Sequence, residues 1–338
     1  MYSHPLLGVF NPTMKVAKQT ISAGAVSPDS PHRCQARSLA MLHRLPKRLL
    51  PIFLLALTGC LSIRTRTVDK TILAPNVQTA SLANLLAKLS SEYSAVQTLS
   101  LTVNITATEG GARQGQVKEL PTFAGYIFMR KPADLRALML APILRSRALD
   151  MVSDGKTFKL LISLPKSRAV VGPEVVTKTS KNGLENLRPA IIRDALQIPP
   201  VGPDEFVALS ENSRVIAPAH GKKEAIEEPD YDLSILRVKA GAQNAHTLER
   251  IRVIHISRIT LLPYEQDLYD RQGRIQTTIF YSNFKRFGDV DYPMSILLKR
   301  PLDEYTLQID ISKLTLNQKL DDEEFKLTIP DGVPIQQM

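Results

Sequence analysis

The stretch "LSLTVNITA" alternates for nine residues: Leu99, Leu101, Val103, Ile105 and Ala107 share one face, and Ser100, Thr102, Asn104 and Thr106 share the other. Successive side chains of a strand point to opposite faces, so this is a strand with one buried and one wetted side. "YTLQIDIS" repeats the pattern, with Tyr305, Leu307, Ile309 and Ile311 set against Thr306, Gln308, Asp310 and Ser312. Two such strands, far apart in the chain, commit it to a sheet whose apolar face has to be covered.

Further strands are expected near residues 123–130, 134–141, 147–152, 157–164 and 168–172, separated by turn signals such as "SDGK" and "LPKS". Others fall near 232–238, 249–261, 274–284 and 293–300, which makes about eleven in all. Short connections favour antiparallel neighbours. Two segments change to helical spacing. "SLANLLAKLSSEYSAV" places Leu82, Leu85, Leu86, Leu89 and Tyr93 on one stripe behind a capping Ser81. "LENLRPAIIRDALQIPP" does the same with Leu184, Leu187, Ile191 and Ala195, with Pro189 near the first turn and Pro199 past the end. Asn212 to Asp230 is rich in Lys, Glu, Pro, Ala and Gly and reads as a solvated loop, part of an insertion at about 200–230. The sum is a curved sheet or barrel with helices against its concave side.

"RLLPIFLLALTGC", Arg48 to Cys60, belongs to neither pattern. Its apolar core, Leu49 to Leu57, is too short for a membrane span, which takes ~20 residues. It suits the apolar region of a secretory signal: His43, Arg44, Lys47 and Arg48 precede it, and Thr58 and Gly59 stand before the cysteine. A buried core element is the alternative, but Pro46 and Pro51 would interrupt a helix there. "LTGC" resembles a bacterial lipobox. That resemblance implies a signal peptide over 41–59, cleavage before Cys60, a diacylglycerol on Cys60 and a lipidated tether over 60–80. Leu61 after the cysteine points to the outer membrane by the same resemblance, and residues 1–40 read as a mis-called start.

Removing the segment before Cys60 takes away seven Lys and Arg and one Asp, so 43 basic and 33 acidic residues become 36 and 32. The net charge falls from +10 to +4, and the basic balance that would argue for nucleic acid goes with it. Cys34 is lost too, which leaves Cys60 alone and no intramolecular disulfide.

No catalytic constellation emerges. His220, His246 and His255 are not spaced as zinc ligands, and His255 in "RVIHIS" reads as an ordinary hydrogen-bonded strand histidine. "DDEE", Asp321 to Glu324, reads as a solvated turn rather than a metal site. There is no Gly-x-Ser-x-Gly elbow, no phosphate-binding glycine loop and no cysteine nucleophile. The expectation is a protein without enzymatic activity, cofactor or metal. One turn is unusual: Pro142, Ile143 and Leu144 are apolar where turns are ordinarily polar, which marks contact with a membrane or apolar ligand unless a helix covers them.

Four stretches, in order, resemble the lipoprotein-sorting carriers of bacterial envelopes, the LolA/LolB type. They are "FAGYIFMRKPADLRALMLAP" from Phe123, "APILRSRALDMVSDGKTF", "LENLRPAIIRDALQIP", and "IFYSNFKRFGDVDYPMSILLKRP" followed by "LNQKLDDEEFKLTIPDG". Together they span most of Ser81 to Pro334, a domain set at 81–334, and the lipobox favours the anchored receptor over the soluble carrier. The resemblance implies a mainly β fold with α, an incomplete antiparallel β-barrel of about eleven strands with helices packed in the concave face. It implies an apolar cavity for acyl chains of lipoproteins or phospholipid, with Leu101, Val103, Ile127, Met139, Leu307 and Ile309 as candidate lining residues. Ile143 and Leu144 fall where the anchored type carries an apolar tip for releasing cargo to the membrane. A periplasmic carrier protein is the implied partner. The alternative is a structural or partner-binding envelope lipoprotein that uses the half-barrel as a scaffold.

Overall fold

The first described strand lies at the edge of a large sheet, and the chain then crosses to its middle. The computed structural model describes residues 70–164, 166–174, 188–217, 224–240 and 246–338. These belong to one compact unit, Val68–Met338. Cys60, the signal segment 41–59, residues 1–40, Leu184 and Leu187 lie outside the described residues.

The first half runs β1 (Thr71–Leu73), α1 (Leu82–Ala95), β2 (Thr98–Gly111), β3 (Gln116–Glu119), β4 (Phe123–Arg130), β5 (Asp134–Leu140), β6 (Arg147–Ser153), β7 (Thr157–Ile162), β8 (Arg168–Pro173) and α2 (Pro189–Leu196). The second half runs β9 (Glu205–Ile216), β10 (Ala225–Ala240), β11 (His246–Ser257), β12 (Pro263–Tyr269), β13 (Ile275–Phe287), β14 (Val290–Arg300), β15 (Tyr305–Leu316) and β16 (Ile335–Gln337). A short 3₁₀ turn, Asp322–Phe325, precedes β16 and carries the exposed acidic run.

All sixteen strands join one sheet. β9 to β15 form an antiparallel meander, β15 pairs with β2, and β4 to β8 continue it. β3 adds to β2, β1 runs parallel to β10 and β16 runs parallel to β8. The two strands that alternate most cleanly meet at its centre: Ile309 faces Ile105 and Leu307 faces Ala107. A bulge between Ile311 and Lys313 inserts Ser312 and changes parity, so that Leu314, not Lys313, joins the buried row. β1 and β16 end the path without pairing to each other, and β9 pairs with β10, so the sheet is open rather than closed.

The sheet has more strands than the eleven expected. Glu205–Ile216, in the supposed loop insertion, is an edge strand bound along β10 from Ile226↔Ile216 to Arg237↔Glu205. Its polar content disguised it, because an edge strand leaves much of itself in water and needs little apolar sequence. The loop reading of Asn212 to Asp230 is therefore corrected: residues 212–216 lie in β9 and residues 225–230 in β10. The strand expected over 249–261 ends at Ser257 as β11, and a turn in which Leu261 takes φ 54° leads into β12, which was not expected. Thr71–Leu73, placed in the tether, is β1.

Both helices carry buried residues shared with the sheet. Ser81 caps α1, its hydroxyl accepting from the Asn84 N–H at 3.2 Å. Leu85 of α1 is buried with Tyr231, Leu233, Ile235, Ile254 and Ile256 of β10 and β11. α2 opens on Pro189, which fixes φ where no donor is needed. Its Ile192, Ala195 and Leu196 join the main cluster, and the Leu196 carbonyl accepts from Tyr292 Oη at 2.9 Å. The Arg193 guanidinium holds Glu174, which also accepts from Ser153, so α2 is tied to the end of β8 and to β6. Among the described residues no helix is long and apolar enough to cross a membrane.

Candidate functional site

Two places concentrate chemistry, one apolar and one polar. The apolar one is a pocket of about 280 Å³ bounded by β2, β4 to β8, β15 and α2. Alternation builds it: every second residue of β4, β5 and β6 turns to the same face, so Ile127, Ala137, Met139 and Met151 share a wall. Ile192 of α2 adds to the lining, and among the described residues on it Arg168 is the only charged one and the other sixteen are apolar. Of the candidates read from the sequence, Ile127, Met139, Leu307 and Ile309 lie on this lining. Leu101 and Val103, each 1% exposed, are in the same buried cluster but not on the lining. Gly125 lets the β4–β5 pair close up: a Cβ there would stand 2.3 Å from the Leu138 carbonyl oxygen.

The wall continues into the β5–β6 hairpin. Met139 and Leu149 are cross-strand neighbours and both line the pocket. Just beyond them the chain turns, with Ala141 N–H donating to the Ser146 carbonyl at 2.8 Å and Arg145 N–H to the Ala141 carbonyl at 3.0 Å. Ile143 is 92% exposed and Leu144 79%, so no helix covers them. Arg145 and Arg147 beside them are exposed too. The stem is braced on its other face, where the Arg136 fork binds both oxygens of fully buried Asp150 at 3.0 and 2.9 Å.

The polar place lies across β10, β11 and β12. Tyr231 and Leu233 face α1, so Asp230 and Asp232 point to the opposite side of the sheet. His255 pairs with Asp232 on one side and Glu265 on the other. A bulge then makes Tyr264 an extra residue between the pairs His255↔Glu265 and Ile256↔Pro263. His255 Nδ1 is 2.6 Å from Asp232 Oδ1, and its Nε2 is 3.7 Å from Asp267 Oδ2. Asp267 accepts from Thr278 Oγ1 at 2.5 Å, Tyr264 Oη donates to Asp230, and Glu228 accepts from Ser257 Oγ and, at 3.1 Å, from Arg214. Burial alone would lower the His255 pKa; the carboxylates of Asp267, Asp232 and Glu265 outweigh it and hold the imidazole up at about 9. Burial raises Asp230 and Glu265 above the usual carboxylate range, with neighbouring Asp232 and Asp267 adding to it.

Sequence reasoning did not assemble this cluster. Its one available signal was "EQD": Glu265 and Asp267 alternate onto one face, one tight reversal away from His255.

No protein-family model and no curated protein matches the chain. Solved structures do. The LolA superfamily protein NE2245 from Nitrosomonas europaea is similar at 14% identity and a TM-score of 0.45, over 74% of this chain and 99% of that one. A DUF1329 family protein from Desulfovibrio piger is similar at 16% identity and a TM-score of 0.43, over 72% and 94%. An outer membrane lipoprotein-sorting protein domain from Vibrio parahaemolyticus is similar at 10% identity and a TM-score of 0.36, over 71% and 94%.

Proposed function

We propose that this chain is a bacterial envelope lipoprotein that binds acyl chains of lipoproteins or phospholipid and moves them toward a membrane. In this reading Cys60 holds the lipid anchor at the outer membrane, the rest faces the periplasm, and the sheet acts as an incomplete barrel with both helices in its concave face. The observation that carries the proposal is the pocket, whose lining among the described residues is sixteen apolar residues and Arg168. Each methylene buried there is worth ~0.8 kcal/mol, so acyl chains are the natural occupant. An open sheet also admits and releases such a ligand more readily than a closed barrel.

The hairpin supports transfer as well as storage. Ile143 and Leu144 are exposed at the end of a stem whose residues line the pocket, with Arg145 and Arg147 beside them. Such a tip suits a bilayer surface, with its apolar pair toward acyl chains and its cations toward phosphates. The test is lipid content. Protein carrying Cys60→Ser should yield extractable acyl lipid by mass spectrometry and should take up a fluorescent fatty acid. An empty pocket without uptake would sink the reading. The anchor is tested separately, by the mass of the N-terminal peptide of protein from native membranes.

A further inference from the structure

Three ligand-type atoms converge on the polar side of β11 and β12. They are a ring nitrogen of His255, a carboxylate oxygen of Glu265 and one of Asp267, all within 4.8 Å of one another. The sheet enforces this: Glu265 and Asp267 are two apart on one strand and so share a face, and His255 stands opposite Glu265 on the next. The Nε2 atom is buried and has no hydrogen-bond partner. Asp267 Oδ2, at 3.7 Å, is beyond hydrogen-bond reach. The other ring nitrogen is held by Asp232 at 2.6 Å. A carboxylate bound in this way keeps the proton on Nδ1, so that an incoming cation would displace the Nε2 proton and bind there, the arrangement found behind metal-bound histidines.

Charge points the same way. Glu228, Asp230, Asp232, Glu265 and Asp267 gather here, and Asp230 Oδ1 is buried without a partner. Arg214 is bound to Glu228 and stacked on Tyr264 at 3.5 Å, and Lys299 acts on Glu265 only at a distance. The carboxylates outnumber the cations that face them.

We propose that His255, Glu265 and Asp267 form a site for a divalent transition-metal cation, zinc or one of like preference, with Asp232 as the positioning residue for His255. One imidazole and two carboxylates are a donor set zinc accepts, with bonds of ~2.0–2.2 Å, and three protein ligands leave a fourth position to water. His255 and Glu265 are partly exposed and Asp267 is buried, and binding such an ion would draw the three atoms closer than 4.8 Å. The site is on the opposite side of the sheet from the residues packed on α1, so it is independent of the pocket.

The test is metal retention by the full, untagged chain. It is stripped with a chelator, incubated with Zn²⁺, desalted and measured by elemental analysis, with Co²⁺ absorption as a second readout. The expected result is one equivalent that depends on His255: His255→Ala and Asp267→Asn each lower it at least tenfold. Asp232→Asn keeps the stoichiometry and weakens affinity by ~10- to 100-fold. Asp267→Asn preserves side-chain shape, and circular dichroism shows that its loss of metal is not a loss of fold. The proposal is overturned if the unaltered chain retains no more Zn²⁺ than His255→Ala. The group is then an imidazolium bridging Asp232 and Asp267, with no ion.

Discussion

Beneath β10 and β11 the apolar face is filled. Leu85 of α1 is 2% exposed and touches Tyr231, Leu233, Ile254 and Ile256, with Leu82, Leu86 and Leu89 packed around them. Beneath β4 to β7 the same kind of face stays partly open, and a space of about 280 Å³ separates Ala137, Met139 and Leu160 from full contact. Both regions come from the same period-two alternation, and both receive a helix. They differ in what the helix delivers. α1 presents a stripe of four leucines over fourteen residues, whereas α2 is eight residues long and puts Ile192 on the pocket lining. Small residues on the strands, Ala107, Ala137 and Ala148, keep the space from closing. One half of the sheet is a core; the other is a core with a vacancy of ligand size.

If that contrast is right, the two halves should respond oppositely to changes in volume. The largest effect belongs to the filled half. Leu85→Ala removes a buried side chain that close packing cannot replace, and should cost ~2–5 kcal/mol by urea unfolding. A loss below ~1 kcal/mol would mean that α1 sits loosely and that the contrast fails. A smaller loss is expected from Ser81→Ala, which leaves the Asn84 N–H without its cap and should cost ~1 kcal/mol.

The pocket half should tolerate the reverse change. Ala137→Leu adds volume at a lining residue that is itself 3% exposed. In a packed core such overpacking costs ~1–3 kcal/mol. Here the added methylenes enter empty apolar space, so stability should change by less than ~1 kcal/mol, with gain as acceptable as loss. Uptake of a fluorescent fatty acid should fall severalfold in the same variant. Unchanged uptake with unchanged stability would show that the ligand, if any, lies elsewhere.

The fold was legible where one face was dry and the other wet. β4 to β8 and β13 to β15 read directly from alternation and turn residues, because half-burial writes itself into the sequence. β9 and β12 did not. β9 is an edge, so burial asks little of its sequence, and β12 spends its outward positions on Glu265 and Asp267, residue types that strands ordinarily avoid. The pocket was half legible: apolar positions on β4, β5 and β15 could be named, but whether a helix fills the space above them depends on helix length and placement. The cluster around His255 was illegible for a different reason. Its members come from three strands, and only the register of Asp232, His255 and Glu265 brings them side by side.

The smallest effect on stability should come from the hairpin tip, and there the comparison becomes functional. Ile143 and Leu144 bury almost nothing, at 92% and 79% exposure, so Ile143→Glu with Leu144→Glu should leave unfolding within ~0.5 kcal/mol of the parent. The pocket two steps away should still load fatty acid, because Met139 and Leu149 keep their places on its lining. What should change is delivery. Two carboxylates at the tip oppose its approach to an anionic bilayer and cannot enter acyl chains, so transfer of bound lipid to vesicles of phosphatidylethanolamine and phosphatidylglycerol should slow at least tenfold. Loading without delivery would separate the two roles within one hairpin, the stem holding and the tip releasing. Delivery at the parental rate would leave the exposed pair without a part in transfer and reduce the open half of the sheet to a store.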